Sequence, residues 1–580
     1  MKRINTPDIE INQKSKVENL KSNDEGQKSN VESLKSNGES QNNIRIVIGY
    51  PPIESKKGVA LLSQNRQFQY FNTPTYIYPM VPAYMATNLQ QNGYTVHWMD
   101  GIAEQKTYAQ WFADLKSIKP DYLIVETKAP IVKLHWKLIN DLKRRLPNLK
   151  LIWVGDHVSY LPLELFEKSK VDYVITGGDY DFVSVNLLNH IHKKEELEGG
   201  VYWRESNTDI KTSPKKSEQL STGETIHSSG FASLKHNLDA LPLVDRDLTK
   251  WKLYAFANGN YKYTPGTYMY SGRDCWWNRC TFCVWDHTIN PLGSYRSFSP
   301  ERLFDEVKHV VDTYGVKEIF DDAGTMFIGP KLKKFCNLLI ESGYNKKVRY
   351  GCNMRFNALK QEHYDLMAKA GFRFILYGME SGNQKTLDKL NKGTKDEDTI
   401  NGSKMASQAG LDPHATIMLG YPWETYEDAQ RTIEVAKYCF KKGYFRTMQA
   451  TIVIPYPGTP LYTECIEKNW LLTTDYARFD MREPVMKIPF GKEKILSLTQ
   501  ELYSSFFTPH YVFHTLIRLR SFHDIKYLFY MAWKLIGHLL DFNPKQTLVS
   551  WKSKEFWQNV SSTLFKQFSL NKTSIDKQKA

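Results

Sequence analysis

Short, continuous apolar runs separated by longer amphipathic stretches set the pattern of the chain from Arg45 onward. RIVIGY, YTVHWMD, DYLIVET, LKLIWVG and VDYVIT follow one another, with segments such as PMVPAYMATNLQQNG and APIVKLHWKLINDLKRRLPN between them. Continuous runs of this length suit strands buried on both faces, and the intervening segments suit crossover helices. Residues 44–195 are therefore expected to form an α/β domain, a parallel sheet doubly wound by helices. Ligands of such sheets sit beyond the carboxyl ends of the strands. Those ends carry Tyr50-Pro51-Pro52, Glu126-Thr127-Lys128, Gly155-Asp156-His157 and Thr176-Gly177-Gly178-Asp179.

Residues 200–245 are rich in Ser, Thr, Lys and Pro, and residues 196–262 read as a connector. Alternation resumes at TYMYSG, with strands expected near Thr267–Ser271, Lys317–Asp321, Val348–Asn353, Arg373–Met379, His414–Leu419 and Met448–Ile454. Six βα units over residues 263–465 predict a partial (βα)6 barrel, smaller than the eight-fold version. Residues 466–580 read as a helical region with a disordered end. Its stretch from Lys494 to Phe542 mixes Lys and Arg with Phe, Tyr, Leu and Ile, as in a helical cap or an interfacial helix. Residues 1–43 are polar and repeat KSKVENLKSNDEGQ as KSNVESLKSNGESQ, too little apolar material to offset the entropy of ordering.

Composition changes the picture in two places. The 580 residues exceed one core and imply two to four domains. The formal net charge of +14 favours an anionic partner, whether nucleic acid, a phosphorylated substrate or a lipid surface, without choosing among them. The N-terminal residues contain no apolar leader, and no stretch approaches the ~18 apolar residues of a membrane span. A cytoplasmic protein is expected, with peripheral membrane contact left open.

Seven cysteines, an odd number with three crowded together, point to a reducing compartment and a metal site rather than a disulfide framework. The crowded run is Arg273-Asp274-Cys275-Trp276-Trp277-Asn278-Arg279-Cys280-Thr281-Phe282-Cys283, on the loop after the first barrel strand. Spacing alone leaves three readings. Zinc would take His287 as fourth ligand. A ferredoxin-like cluster would take Cys336 or Cys352. An iron–sulfur cluster with one open iron would take no fourth protein ligand.

The position of this loop and the motifs after it resemble the radical SAM superfamily over most of residues 265–465. The motifs are Asp321-Asp322, Asn353-Met354-Arg355, Gly378-Met379-Glu380-Ser381-Gly382, Gly420-Tyr421-Pro422-Trp423-Glu424-Thr425 and Pro455-Tyr456-Pro457-Gly458-Thr459-Pro460, in order at successive strand ends. The chain departs from the family in one respect, C-x4-C-x2-C where C-x3-C-x2-C is usual. The resemblance implies a 4Fe-4S cluster on Cys275, Cys280 and Cys283, whose open iron binds S-adenosylmethionine and cleaves it reductively to a 5′-deoxyadenosyl radical. It implies Phe282 against the adenine, Glu380 on the ribose hydroxyls and Arg355 on the methionine carboxylate, with Asp321 or Asp322 (Asp322 preferred) on the amino group. An electron donor such as flavodoxin or ferredoxin follows from the same chemistry.

The first domain resembles the cobalamin-binding domain of cobalamin-dependent radical SAM proteins, and Leu241-Pro242-Leu243-Val244-Asp245-Arg246 resembles the segment that joins the two domains there. The resemblance implies cobalamin contacts at Gly155, His157, Gly177 and Gly178. The D-x-H-x-x-G signature of an axial histidine is absent after the first strand, so cobalamin without a protein histidine on cobalt is expected. The function implied is methylation of an unactivated carbon in a small-molecule or amphipathic substrate, lipid- or tetrapyrrole-like. The alternatives are oxidative ring formation of the porphyrin-cyclase type, RNA modification, and a non-enzymatic zinc- or ferredoxin-stabilised binding protein. The absence of aromatic RNA-binding signatures argues against nucleic acid.

Overall fold

The computed structural model describes residues 44–62, 68–71, 74–519 and 521–541. The repeat-bearing segment and the end of the C-terminal region, both read from sequence as disordered, lie outside the described residues. Each of the first five apolar runs forms a strand: β1 (Arg45–Tyr50), β2 (Thr95–Asp100), β3 (Tyr122–Glu126), β4 (Lys150–Val154) and β5 (Tyr173–Ile175). They pair in parallel in the order β2-β1-β3-β4-β5. Helices α1 (Met80–Gln91), α2 (Tyr108–Ile118), α3 (Val132–Arg145) and α4 (Tyr180–Lys193) cover both faces. That cover explains the unbroken apolar runs. Ile46, Val47 and Ile48 are all buried, and each such side chain contributes about 1.5–3 kcal/mol of transfer free energy. Strand order reverses between β1 and β3, so the ligand crevice of this sheet lies beyond Tyr50 and Glu126.

Residues read as a connector instead extend the same sheet. β6 (Val201–Arg204) pairs antiparallel with β5, followed in space by β8 (Thr225–Ser228) and then by β7 (Lys216–Gln219) at the edge. Lys216, Ser217 and Gln219 are exposed, which is how an edge strand avoids pairing with another chain. A polar edge strand carries no apolar run, and the sequence pattern passes over it.

The six expected barrel strands all form: β9 (Gly266–Met269), β10 (Glu318–Asp321), β11 (Arg349–Met354), β12 (Phe372–Glu380), β13 (Asp412–Leu419) and β14 (Thr447–Ile452). They pair in parallel in sequence order, and the sheet curls without closing. Outside them lie α5 (Pro300–Tyr314), α6 (Pro330–Glu341), α7 (Gln361–Lys369), α8 (Asp396–Gln408) and α9 (Tyr426–Lys441). Their ends are fixed locally. Ser299 caps α5 by accepting from the Arg302 amide, Pro300 occupies its first turn, and left-handed Gly315 ends it.

Among the described residues the C-terminal region adds three helices, α10 (Lys492–Ser504), α11 (Pro509–Leu516) and α12 (Phe522–Asp541). α10 buries Ile495, Leu498 and Leu502 against the barrel. α12 reaches both domains, because the Arg373 guanidinium of β12 lies 5.9 Å from the centre of the Tyr527 ring and Lys534 donates to Thr75 in the long loop after β1. No helix among the described residues is long and apolar enough to cross a membrane.

Candidate active site

The cysteine loop is pinned residue by residue. The Asp274 carboxylate accepts from the Gly324 amide at 2.7 Å, and the Cys275 sulfur lies 3.3 Å from the Thr325 hydroxyl. The Trp276 and Trp277 indoles donate to the Met326 and Asn391 carbonyls. Asn278 is buried in a left-handed conformation (φ 48°) and donates to the Asn290 carbonyl at 2.9 Å. Asn tolerates that region better than most residues, so Asn278 suits the turn between Cys275 and Cys280. The Thr281 amide donates to the Leu390 carbonyl, which fixes the loop to the segment after β12.

Cys275, Cys280 and Cys283 line one cavity of about 520 Å³ at the carboxyl ends of the barrel strands. Phe282, Asp322, Arg355 and Glu380 line it as well. Arg355 donates to the Lys392 carbonyl and stacks 4.3 Å from the centre of the Trp277 ring. Burial lowers the Arg355 pKa, with the neighbouring Cys280 and Cys275 opposing that shift. Glu380 accepts from Lys392 Nζ at 2.8 Å. This pair exists because Gly378 has no side chain: a Cβ there would fall 2.2 Å from Glu380 Oε1. Asp322 Oδ1 accepts from Asn353 at 3.0 Å. Asp321 does not line the cavity. It is buried and accepts from the Ser271 and Ala323 amides and from the Tyr350 hydroxyl, and burial pushes its carboxyl up to about 6.

The donor set suits a cluster with an open iron. Burial pushes the Cys280 thiol up to about 12, with Lys392 opposing the shift, so it ionises on metal binding rather than alone. His287 Nε2 lies 3.0 Å from the Cys280 carbonyl oxygen and is engaged there rather than with the thiols. Cys336 and Cys352 are fully buried in the barrel core, outside the cavity lining. Two buried polar atoms beside the cysteines, Asn353 Oδ1 and Arg355 Nε, have no hydrogen-bond partner in the protein. An acceptor and a donor left open on residues of one cavity lining suit the ammonium and carboxylate of an amino acid such as the methionine end of S-adenosylmethionine.

Asn353, Lys392 and Thr325 carry part of this site, and none was given a role from sequence. Asn353 at least stood in a quoted motif. Lys392 lies on an ordinary loop twelve residues after Glu380 and leaves no sequence signal.

Gly155, His157, Gly177 and Gly178 do not line this cavity. They lie at the strand ends of the first sheet, in its seam with the barrel. His157 Nε2 pairs with Glu164 at 2.7 Å, and Tyr476 meets its ring edge-on. The Gly178 amide donates to the Ile289 carbonyl, and its own carbonyl accepts from Arg273 at 3.0 Å. A Cβ on Gly178 would fall 2.5 Å from Asn290 Oδ1, so this glycine serves the domain contact. Gly155 and Gly177 are closed off in the same way, by the Thr127 carbonyl and the Ala232 side chain.

The seam is ionic. Arg273, two residues before Cys275, binds Asp181 through both terminal nitrogens at 2.8 and 2.5 Å and reaches Asp179 at 3.1 Å. Arg296 and His236 also bind Asp179. Burial works against the Asp179 charge, yet the hydrogen bonds from His236 and Arg296 outweigh it and hold the carboxyl well below the usual range. Burial likewise opposes protonation of His236, but Asp179 and Glu198 raise it to about 9.

The first domain reaches the cavity elsewhere, through Leu61, Phe71, Thr75 and Ile77 of the loop after β1. Near this crevice the Tyr50 hydroxyl donates to Glu126 at 2.6 Å. Burial pushes Glu126 up to about 7, only partly offset by Lys128. The folded chain therefore holds this proton where the unfolded chain has lost it. Stability from Glu126 is full below the ordinary value of 4.5 and is lost as pH rises to about 7, by about 3 kcal/mol. Glu126→Gln keeps an acceptor for Tyr50 and flattens the unfolding midpoint against pH across that window. A slope equal to the wild type would contradict this assignment.

Residues 269–436 match the model of the Radical SAM superfamily. An uncharacterised methyltransferase of Pyrococcus horikoshii is 26% identical over 434 residues, covering 74% of this chain and 87% of that protein. The anaerobic magnesium-protoporphyrin IX monomethyl ester cyclase of Cereibacter sphaeroides is 24% identical over 446 residues, covering 75% and 68%. The solved structure of the cobalamin-dependent S-adenosylmethionine radical enzyme OxsB, with aqua-cobalamin bound, superposes with a TM-score of 0.61 at 15% identity, covering 92% of this chain and 80% of that one. This last likeness is one of fold.

Proposed function

We propose that this radical SAM protein binds a 4Fe-4S cluster on Cys275, Cys280 and Cys283, cleaves S-adenosylmethionine there, and uses cobalamin to methylate an unactivated carbon of an amphipathic substrate. The observation that carries the reading is the convergence of those three cysteines with Phe282, Asp322, Arg355 and Glu380 on one cavity at the strand ends. When bound, the cluster supplies the electron that breaks a carbon–sulfur bond of S-adenosylmethionine, and cobalamin supplies the methyl group.

The protein's own part is binding, orientation and exclusion of water. Arg355 Nε faces the methionine carboxylate as a charge-assisted donor, and Asn353 Oδ1 takes an ammonium hydrogen. Phe282 offers a flat apolar face to the adenine. Lys392 neutralises Glu380, so that a carboxylate can stay buried beside the ribose hydroxyls it accepts from. Cobalamin would lie against Leu61, Phe71, Thr75 and Ile77, an apolar wall with one hydroxyl. Leu376, Met418, Met448, Leu528 and Met531 give the remaining lining its apolar character, which suits an amphipathic substrate.

The second reading, oxidative ring closure, is favoured by the resemblance to a porphyrin-ester cyclase. Product analysis separates the two. Anaerobic incubation of the protein loaded with cluster and cobalamin yields 5′-deoxyadenosine and S-adenosylhomocysteine together if it is a methyltransferase, since cobalt must be remethylated. 5′-Deoxyadenosine without S-adenosylhomocysteine would favour cyclisation, and neither product would overturn both readings.

A further inference from the structure

The C-terminal helices turn two apolar faces in different directions. Inward, Val512, Leu516, Leu528, Met531, Ala532 and Leu535 line the same cavity as the three cysteines. Outward, Phe513, Ile517, Phe522, Ile525 and Phe529 stand in solvent, Phe522 with 80% of its surface exposed and Phe529 with 73%. Val512 and Leu516 belong to both sets: they line the cavity and are about half exposed. The cavity therefore has a margin on the same helices that carry the exposed phenylalanines. Seven large apolar side chains exposed between residues 512 and 529 mark an interaction surface rather than ordinary surface.

Charge selects the partner. Between residues 509 and 535 the one carboxylate is Asp524, and it is buried and paired with Lys262. Lys526, His510 and His523 are exposed beside the apolar side chains, and Arg518 lies between the two helices. An apolar strip that carries Arg518 and Lys526 and no exposed carboxylate of its own matches the boundary of an anionic bilayer, where aromatic rings sit among headgroups and Lys or Arg meets phosphate. α12 has 20 residues but is not apolar enough to cross a membrane, so it would lie in the interface plane.

We propose that α11 and α12 dock this protein on an anionic lipid surface, with the margin of the reaction cavity turned toward the acyl chains. The functional meaning of that placement rests on reading the cavity as the reaction site; the docking itself does not. Burying the Phe522 and Phe529 rings at the acyl boundary, with Arg518 and Lys526 at the headgroups, suffices for reversible, salt-sensitive binding.

The test is co-sedimentation of the full chain, cluster loaded, with vesicles of phosphatidylcholine alone and with vesicles in which about a third is phosphatidylglycerol. The expected result is binding to the anionic vesicles that weakens with salt. A Phe522→Glu/Phe529→Glu variant, changed only at exposed positions, should bind at least about tenfold more weakly while its unfolding midpoint and S-adenosylmethionine cleavage match the wild type. Equal sedimentation of wild type and variant, or no binding to anionic vesicles, would overturn the proposal. So would a wild-type dimer in solution that the double substitution converts to monomer without vesicle binding, because the face would then join two copies of the chain. Vesicle binding with no cleavage of S-adenosylmethionine would instead refute the proposed chemistry and leave the docking face standing.

Discussion

Replacing Cys280 by Ala is expected to drop reductive cleavage of S-adenosylmethionine to the background of the chemical reductant, a loss of at least about 100-fold. The same change should remove most of the iron. Cys280 is the most enclosed of the three cysteines, 6% exposed, and has Lys392 and Arg355 as its neighbouring cations. Those cations would stabilise a bound thiolate, and Cys275 and Cys283 are the other cysteines in the cavity lining, so no further thiol stands there to replace it. Cys336→Ala provides the contrast. That thiol is fully buried in α6, away from the cavity, so its loss costs about 1 kcal/mol of packing and leaves iron content and cleavage in place. If Cys336→Ala lost the iron as Cys280→Ala does, a fourth cysteine ligand would be present and the open-iron reading would fail.

The second large effect lies in the seam between the domains. Arg273→Ala leaves Asp181 and part of Asp179 buried without their cation, and breaking a buried pair in this way typically costs about 3–5 kcal/mol. Thermal unfolding should show a lower midpoint or a split transition as the first domain separates from the barrel. Arg273→Met combined with Asp181→Leu removes both charges together and should recover most of the loss. Asp179 keeps Arg296 and His236 in that double variant. A double variant as unstable as Arg273→Ala would mean that shape rather than charge holds the seam. Because Arg273 leads directly into Asp274 and Cys275, the single variant should also loosen the cysteine loop, seen as faster iron loss on dilution with a chelator.

The barrel was legible because its strands are buried on both sides, so each appears in the sequence as an apolar run with its polar motif immediately after. Asn353-Met354-Arg355 after β11 and Gly378-Met379-Glu380 after β12 show this directly. What stayed hidden depends on long-range partners. Lys392 is an ordinary loop lysine until folding sets it against Glu380. Asn278 shows its part in the cysteine loop only through its left-handed backbone. Gly177 and Gly178 look like a ligand cradle in sequence, yet their neighbours are Ala232, Leu234, Ile289 and Asn290. β7 escaped because an exposed edge strand carries polar residues where buried parallel ones carry Val and Ile, and β8 because only its alternate residues, Ile226 and Ser228, are buried.

The central claim is that the three cysteines hold a cluster that reductively cleaves S-adenosylmethionine. Anaerobic reconstitution of the wild-type chain, followed by iron and sulfide analysis and quantification of 5′-deoxyadenosine after addition of reductant, tests it most directly. About four irons per chain and 5′-deoxyadenosine formed in step with loss of S-adenosylmethionine is the predicted result. Tightly bound zinc, or a full cluster that leaves S-adenosylmethionine intact, would contradict it.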